Sequence, residues 1–462
     1  MHTKRTAAIS TGVALAAVLG AALAASAAAV DPEESTQTPN VSVEYFPEPG
    51  GEGRRTEVPL SYGTPDASAA LRSAAPAATT DGEVAPLAVT GSSDDRLDVV
   101  IIGDGYTADE QDAFHTAAAA KWADITAIEP YASYKGLMNV WTVDAVSAES
   151  GITGDPTADV TRNTALGSYF WCSQTERLIC ADIDKVAAYA EKAPDADLVV
   201  VVSHSTKYGG AGYSGLEESG YPFDGVSTLS SDNAQSSMIA THEIAHSVGL
   251  LADEYTYEGY GTWTGGEFTE PNSSILTAAR MANSRSKWYR WLGENDPTGG
   301  TVGTYEGSSY YPFGTYRPTQ NSIMRALNIN EFNLPGREAM IAGFYREANA
   351  LSSDVATGTT IGRKDRITVT QAALTGLAAP QLRWYVDGVR VKRAQGLTAA
   401  VPATLGVPAD GRKHTVTVES VDTTTSIRDP KVRAEATDRL TWNVSASPAA
   451  HQKPVPRPGP RH

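Results

Sequence analysis

The sequence predicts an α/β domain followed by a small immunoglobulin-like β-sandwich. Two observations carry this. Between residues 97 and 250, short runs of Val and Ile alternate with stretches of helical spacing, the pattern of strands crossing to helices. After about residue 355 the texture changes to short alternating segments, RITVTQAAL, QLRWYVDGVRVKRA, HTVTVESVD and RLTWNVS, with Asp387-Gly388 as a hairpin signal between WYV and VRV.

In chain order, the N-terminus has a basic start (MHTKR), an Ala-rich apolar run and small residues before DPEES. That is the layout of a secretory signal peptide, assigned to 1–29, so a secreted, extracellular protein is expected. Residues 30–90 are rich in Pro, Ala, Glu and Ser and read as a propeptide or small N-terminal module, with 64–88 as linker. VSVEYF and TEVPLSY are its candidate strands. It has no cysteine, so no thiolate from it can silence a metal.

A catalytic domain is expected over 91–352. LDVVIIGDGY reads as a buried strand. TADEQDAFHTAAAAKWADI follows as a helix with a Thr cap and early acids. NVWTVDAV is a second strand, ADIDKVAAYAEKA a helix, and DLVVVVSHS a third strand. KYGGAGYSG is glycine-rich and reads as a bulged or flexible sheet edge, against which a substrate can add a strand. LSSDNAQSSMIATHEIAHSVGLL reads as a helix capped by Ser231 or Asp232. REAMIAGFYREANAL reads as another helix. The sandwich spans 353–446, and 447–462 is a Pro-rich tail expected to be disordered.

Composition narrows the function. Lys plus Arg total 37 and Asp plus Glu 54, giving a net charge of −17. That argues against nucleic acid as a partner. No segment beyond the first has the length of apolar residues that spanning a bilayer needs, so no membrane insertion is expected once the signal is removed. The two cysteines, Cys172 and Cys180, are expected to form a local disulfide. They cannot make a thiolate zinc site, which leaves His and carboxylate as ligands. A monomer is expected.

The chemistry is concentrated in THEIAHSVGLLADEY (241–255). His242 and His246 are four apart, so a helix puts both imidazoles on one face, within reach of one cation. Glu243 lies about 100° round the helix, by the 3.6-residue period, placed to act on a water as general base. Gly249 is a candidate left-handed helix end. HExxHxxG opens the metzincin motif, whose third ligand normally follows that glycine by three residues. Ala252 holds that position and cannot bind. Asp253 is the first choice for third ligand. Glu254 is the rival, and the loser is expected to buttress the site from behind. Met324, in NSIMRALN, is the candidate methionine turn. Tyr305, Tyr310, Tyr311 and Tyr316 precede it, and Tyr316 is singled out as an oxyanion donor. His204 and His115 read as structural. The acidic, aromatic loop 253–270 lines the cleft or binds calcium, although it has no EF-hand pattern.

LDVVIIGDGYTADEQDAF, THEIAHSVGLLADEY, KWYRWL and YEGSSYYPFGTYRPTQNSIMR together resemble the immunoglobulin A peptidase family of secreted bacterial zinc metallopeptidases, over about 95–350. The resemblance implies a metzincin-like α/β domain with one catalytic zinc. His242, His246 and an acid of the 253–254 pair would be its ligands, and Glu243 the base. In that family a cysteine often precedes the methionine turn. Here Ser322 lies near that place, and Cys172 and Cys180 offer a different bridge. The expected function is zinc-dependent endopeptidase action on extracellular proteins. The alternatives are a non-catalytic adhesion or carbohydrate-binding protein, and a zinc amidase acting on cell-wall peptide.

Overall fold

The computed structural model describes residues 39–61 and 80–445. The segment read as a signal peptide (1–29), residues 64–79 of the expected linker and the Pro-rich tail lie outside them.

An eight-stranded mixed sheet organises the first part of the chain. Its strands are β1 (Asn40–Tyr45), β2 (Arg54–Pro59), β3 (Val84–Ala88), β4 (Leu97–Asp104), β5 (Met138–Val143), β6 (Leu198–Ser203), β7 (Gly210–Tyr213) and β8 (Gly225–Ser230), in the order β2-β1-β7-β8-β6-β4-β5-β3. The centre, β8-β6-β4-β5, is parallel. β7 runs antiparallel to β8, β1 antiparallel to β7, and β2 antiparallel to β1. Strand β3 pairs with β5, so 84–88 is sheet and not linker. Strands β1–β3, from the stretch read as an N-terminal module, thus belong to the same sheet as β8, the strand that leads into the HExxH helix.

Every residue of β4 and of β6 is buried, which is why their sequences are continuous apolar runs. Val99, Ile101, Val200 and Val202 face one layer, with α1 (Gln111–Ile125), α3 (Ser237–Ser247) and α5 (Leu334–Glu347). Val100, Ile102, Val199 and Val201 face the other, with α2 (Ile183–Ala190) and the Cys172–Cys180 region. α1 begins one turn after the expected Thr cap, because 108–110 is a 3-10 turn closed by a Thr107–Glu110 capping box.

The HExxH helix starts later than its sequence suggests. Leu229 and Ser230 end strand β8, and Asn233 rather than Ser231 or Asp232 caps the 3-10 turn that leads into α3. Apolar Leu229 continues the strand's buried run, and the polar residues after it form the strand-to-helix connection.

Residues 255–320 contain little regular structure, as their sequence suggests. They hold the short helix α4 (Ala278–Ser284) and a hairpin of β9 (Tyr305–Ser308) and β10 (Tyr311–Arg317).

The C-terminal part has two sheets, β11-β13-β16 and β12-β18-β17-β14-β15. Their strands are β11 (Leu351–Ser353), β12 (Thr360–Gly362), β13 (Ile367–Gln371), β14 (Gln381–Val386), β15 (Val389–Arg390), β16 (Ala399–Ala400), β17 (Lys413–Val421) and β18 (Thr437–Ser445). Ile367 and Val369 of the first sheet share one core with Trp384, Val418 and Trp442 of the second. Asp387 and Gly388 both take positive φ (48° and 77°), the turn their sequence predicts. β12 pairs with β18 in parallel. This part docks on the first through a buried carboxylate: Tyr134 and Tyr345 both donate to Asp422 Oδ2 (2.8 and 3.1 Å).

Candidate metal centre

Helix α3 is buried from Ser237 to Ala245, so it carries no apolar stripe; it is enclosed on all sides. Lys121 and Asp124 of α1 fix its first turn, donating to Asn233 O (2.6 Å) and accepting from Ser237 Oγ (2.7 Å). Its last turn meets α5. Here the reading of Gly249 needs correction. The left-handed residue is Leu250 (φ 51°), one position on. Gly249 is required by space instead: a Cβ there would lie 2.5 Å from Met340 Sδ and 2.9 Å from Ala245 O.

The two imidazoles are oriented from behind. His242 Nδ1 lies 3.0 Å from Ile323 O and His246 Nδ1 lies 2.7 Å from Leu251 O. A carbonyl only accepts, so each Nδ1 is the protonated nitrogen. In the neutral rings both Nε2 lone pairs are then free, and the two Nε2 atoms lie 3.0 Å apart.

Asp253 Oδ1 lies 3.3 Å from both of these nitrogens. Its other oxygen accepts from Tyr310 Oη at 2.6 Å. Glu254 faces away. Its carboxylate accepts from Asn272 (3.0 Å) and Asn333 (2.9 Å) on one oxygen and from Ser322 (2.6 Å) on the other. The adjacent acids thus face opposite ways, Asp253 towards the two histidines and Glu254 towards Asn272, Asn333 and Ser322. Met324 is buried, and its carbonyl accepts from Glu254 N at 2.7 Å. The 322–324 turn therefore supports both His242, through Ile323, and the Asp253–Glu254 loop.

A carboxylate absent from the sequence reading also enters. Glu44, on β1, places Oε1 3.2 Å from His242 Nε2 and Oε2 3.6 Å from His246 Nε2. One donor atom from each of Glu44, His242, Glu243 and His246 lies within 4.8 Å of the others. A tetrahedral ion with bonds of about 2.0–2.1 Å separates its ligand atoms by roughly 3.3–3.4 Å. The 3.0–3.6 Å spacings among the two histidines, Asp253 and Glu44 fit that requirement. Glu44 Oε2, Asp253 Oδ1 and Glu243 Oε1 are also buried without a hydrogen-bond partner, which a cation among them would relieve.

Electrostatics agree. Burial opposes charge on His242, but Glu44 and Asp253 outweigh it and push its pKa up to about 10. Asp253 is held well below the ordinary carboxylate range: burial raises it, and the neighbouring histidines overcome that. Glu243 goes the other way. Burial, then the negative charge of Glu44, push it up to about 8 against the pull of the histidines. Its carboxylate stands directly over Gly212 of β7, where any Cβ would overlap it. The glycine-rich stretch is therefore shaped around the Glu243 side chain. β7 is not a free edge either, since β1 pairs with it.

A family model described as IgA Peptidase M64 matches residues 85–299 and 292–344, more than half of the chain. The chain belongs to the IgA Peptidase M64 family. The match takes in His242, Glu243, His246, Asp253 and Met324 and begins well after Glu44. A search of curated proteins finds no match.

Tyr316 does not meet the cluster; its backbone pairs with Glu306 and Ser274 in and beside the β9–β10 hairpin. Tyr310, at the positive-φ turn of that hairpin, is the tyrosine that does. Cys172 and Cys180 form the expected disulfide. His204 stacks on Tyr106 and His115 contacts Asp144, both away from the cluster. Loop 253–270 packs its tyrosines on the hairpin, with Tyr257 stacked on Tyr310. Among the described residues no helix is long and apolar enough to cross a membrane.

Proposed function

We propose that this member of the peptidase family is a secreted, zinc-dependent endopeptidase acting on extracellular proteins. The observation that carries the reading is the convergence of two histidine Nε2 atoms and Asp253 Oδ1 beside an unbonded, buried Glu243. His242, His246 and Asp253 would hold the ion. A zinc ion supplies Lewis acidity there, polarising the scissile carbonyl and acidifying water.

Glu243 does the proton work. Its carboxylate, buried beside the histidines with Oε1 unbonded, is placed to take the proton of the attacking water and return it to the leaving amine. The water adds to the carbonyl carbon, the C–N bond breaks, and the amine leaves neutral. Ile323 O and Leu251 O keep the histidines in the tautomer that presents Nε2. Tyr310 fixes Asp253 by its bond to Oδ2, so that Oδ1 faces the histidines.

Two measurements test this. Elemental analysis of the purified chain is expected to give one zinc, lost in His242→Ala. Gelatin digestion above that of a chelator-treated control is expected in the parent and is expected to be abolished in Glu243→Ala while the zinc remains. Digestion by Glu243→Ala at a parental rate that itself exceeds the chelator-treated control would refute the mechanism.

A further inference from the structure

The donor set contains a contradiction. Two histidines, Asp253 and Glu44 make four ligands, a closed shell of the kind found in structural zinc sites. A catalytic ion needs an open position for water and substrate. Yet Glu243 stands beside this shell with no partner for Oε1, in a chain of a peptidase family. Both facts hold together if one of the four ligands leaves.

Three of the four are fixed where they stand. His242 and His246 belong to one helix, and Asp253 is joined to it by a short turn and held by Tyr310. Glu44 is different. It is 198 residues away in the chain and arrives on a two-stranded hairpin that forms the outermost part of the sheet. It also lies outside the region that the family match covers.

The hairpin is built around this carboxylate. At Gly53, just before β2, a Cβ would lie 2.6 Å from Glu44 Oε1 and 2.6 Å from Tyr255 Cε1, so a larger residue would displace the acid. Arg55 of β2 donates to Tyr310 Oη at 3.0 Å, the same phenol that holds Asp253. Tyr257 donates to Gly53 O at 2.9 Å. Phe46 packs edge-on against the His242 ring, 4.9 Å between centroids. The hairpin also covers β7. Glu44 is in register with Gly212, the residue beneath the Glu243 carboxylate. An extended peptide lying along β7 would need the same backbone groups.

We propose that the β1–β2 hairpin is an intramolecular inhibitor that fills the substrate position along β7 and uses Glu44 as a displaceable fourth metal ligand. The chain as synthesised is then latent, and peptide enters only when the hairpin swings away or is removed. A tethered carboxylate acts at a high effective concentration, so a free substrate competes poorly with it. This inference rests on the metallopeptidase reading above.

The test uses the full chain, loaded with cobalt(II), as the parent and as Glu44→Ala and Glu44→Gln. The glutamine keeps the side-chain volume, so it guards against a packing artefact, and near-UV circular dichroism checks the fold of both. Readouts are the cobalt absorption spectrum and the affinity for acetohydroxamate. Both variants are expected to shift the cobalt bands, bind the hydroxamate at least about 10-fold more tightly, and cleave a fluorogenic peptide faster. An unchanged cobalt spectrum, or equal hydroxamate affinity in parent and variants, would overturn the inhibitor proposal while leaving the metal site in place. Failure of all three proteins to take up cobalt would overturn the metallopeptidase reading itself, and this proposal with it.

Discussion

Asp253 and Glu254 are neighbours in sequence and opposites in space: Asp253 Oδ1 lies 3.3 Å from both histidine Nε2 atoms, whereas Glu254 is bound by Ser322, Asn272 and Asn333. The two acids should therefore fail in different ways. Asp253→Ala removes a proposed ligand and should weaken metal affinity at least about 100-fold while the chain stays folded. Glu254→Ala leaves three buried polar side chains without their acceptor, each costing about 1–3 kcal/mol. It should lower the melting temperature first and lose metal only as a consequence. Metal titration and thermal unfolding of the two variants separate the cases. Equal metal affinity in Asp253→Ala and the parent would rule out Asp253 as ligand.

Gly212 offers a test of Glu243 that leaves Glu243 in place. A methyl group at 212 would overlap its carboxylate, which is buried and has little room to move. Gly212→Ala should displace the base by a distance that, in general, costs about 100-fold in rate. Metal content should be unchanged, because no ligand sits on β7. The informative comparison is kcat against zinc stoichiometry. A variant with full zinc and full kcat would show that the glycine serves only the backbone.

Some of this was legible in sequence and some was not. His242, Glu243 and His246 were legible because the spacing of a helix alone brings them together. The central strands were legible because burial on both faces makes their apolar runs continuous. Which of Asp253 and Glu254 faces the histidines was not, since Glu254 is turned away by Asn272, Ser322 and Asn333, which arrive from three later segments. Glu44 was missed for a related reason. In VSVEYF the alternation of Val41, Val43 and Tyr45 assigns Glu44 to the opposite, polar face. Only the pairing of β1 with β7 shows that this face closes over the histidines. Tyr316 was preferred to Tyr310 on sequence position alone. The positive φ of Ser309 and Tyr310 turns the chain tightly there and brings the Tyr310 phenol to Asp253.

The metal-free protein should lose stability as pH rises. His242 has a folded pKa of about 10 against an ordinary 6.5. Its contribution is complete below about pH 6.5 and is lost as the pH climbs towards 10. Glu243 is raised from 4.5 to about 8, so the folded state also holds this proton more tightly, and the contribution fades over that interval. Both slopes have the same sign. Glu44 and Asp253 are lowered and act at the acid end, where stability falls as the pH drops through their folded values. Chelator-treated protein should therefore show a melting temperature that declines steadily from about pH 6.5 to 10. Zinc-loaded protein, in which the ion would replace the His242 proton, should be flatter. A melting temperature independent of pH in the chelated sample would contradict the assigned charge states.

The joint between the two parts of the chain gives the last prediction. Glu338 of α5 is buried and accepts from Trp291 Nε1 (2.5 Å) and from the backbone N–H groups of Arg428 (2.5 Å) and Asp429 (2.6 Å). It therefore ties the C-terminal sheets to the helix that packs against the end of the HExxH helix. Glu338→Ala strands one indole and two amides, at about 1–3 kcal/mol for each group that water cannot reach. Glu338→Gln keeps two acceptor directions on its carbonyl oxygen and should cost less. Denaturant titration should show the alanine variant less stable by several kcal/mol. If the joint also supports the end of α3, its metal affinity should weaken in the same variant. A large stability loss with unchanged metal affinity would mean that the C-terminal part stabilises the fold without positioning His246.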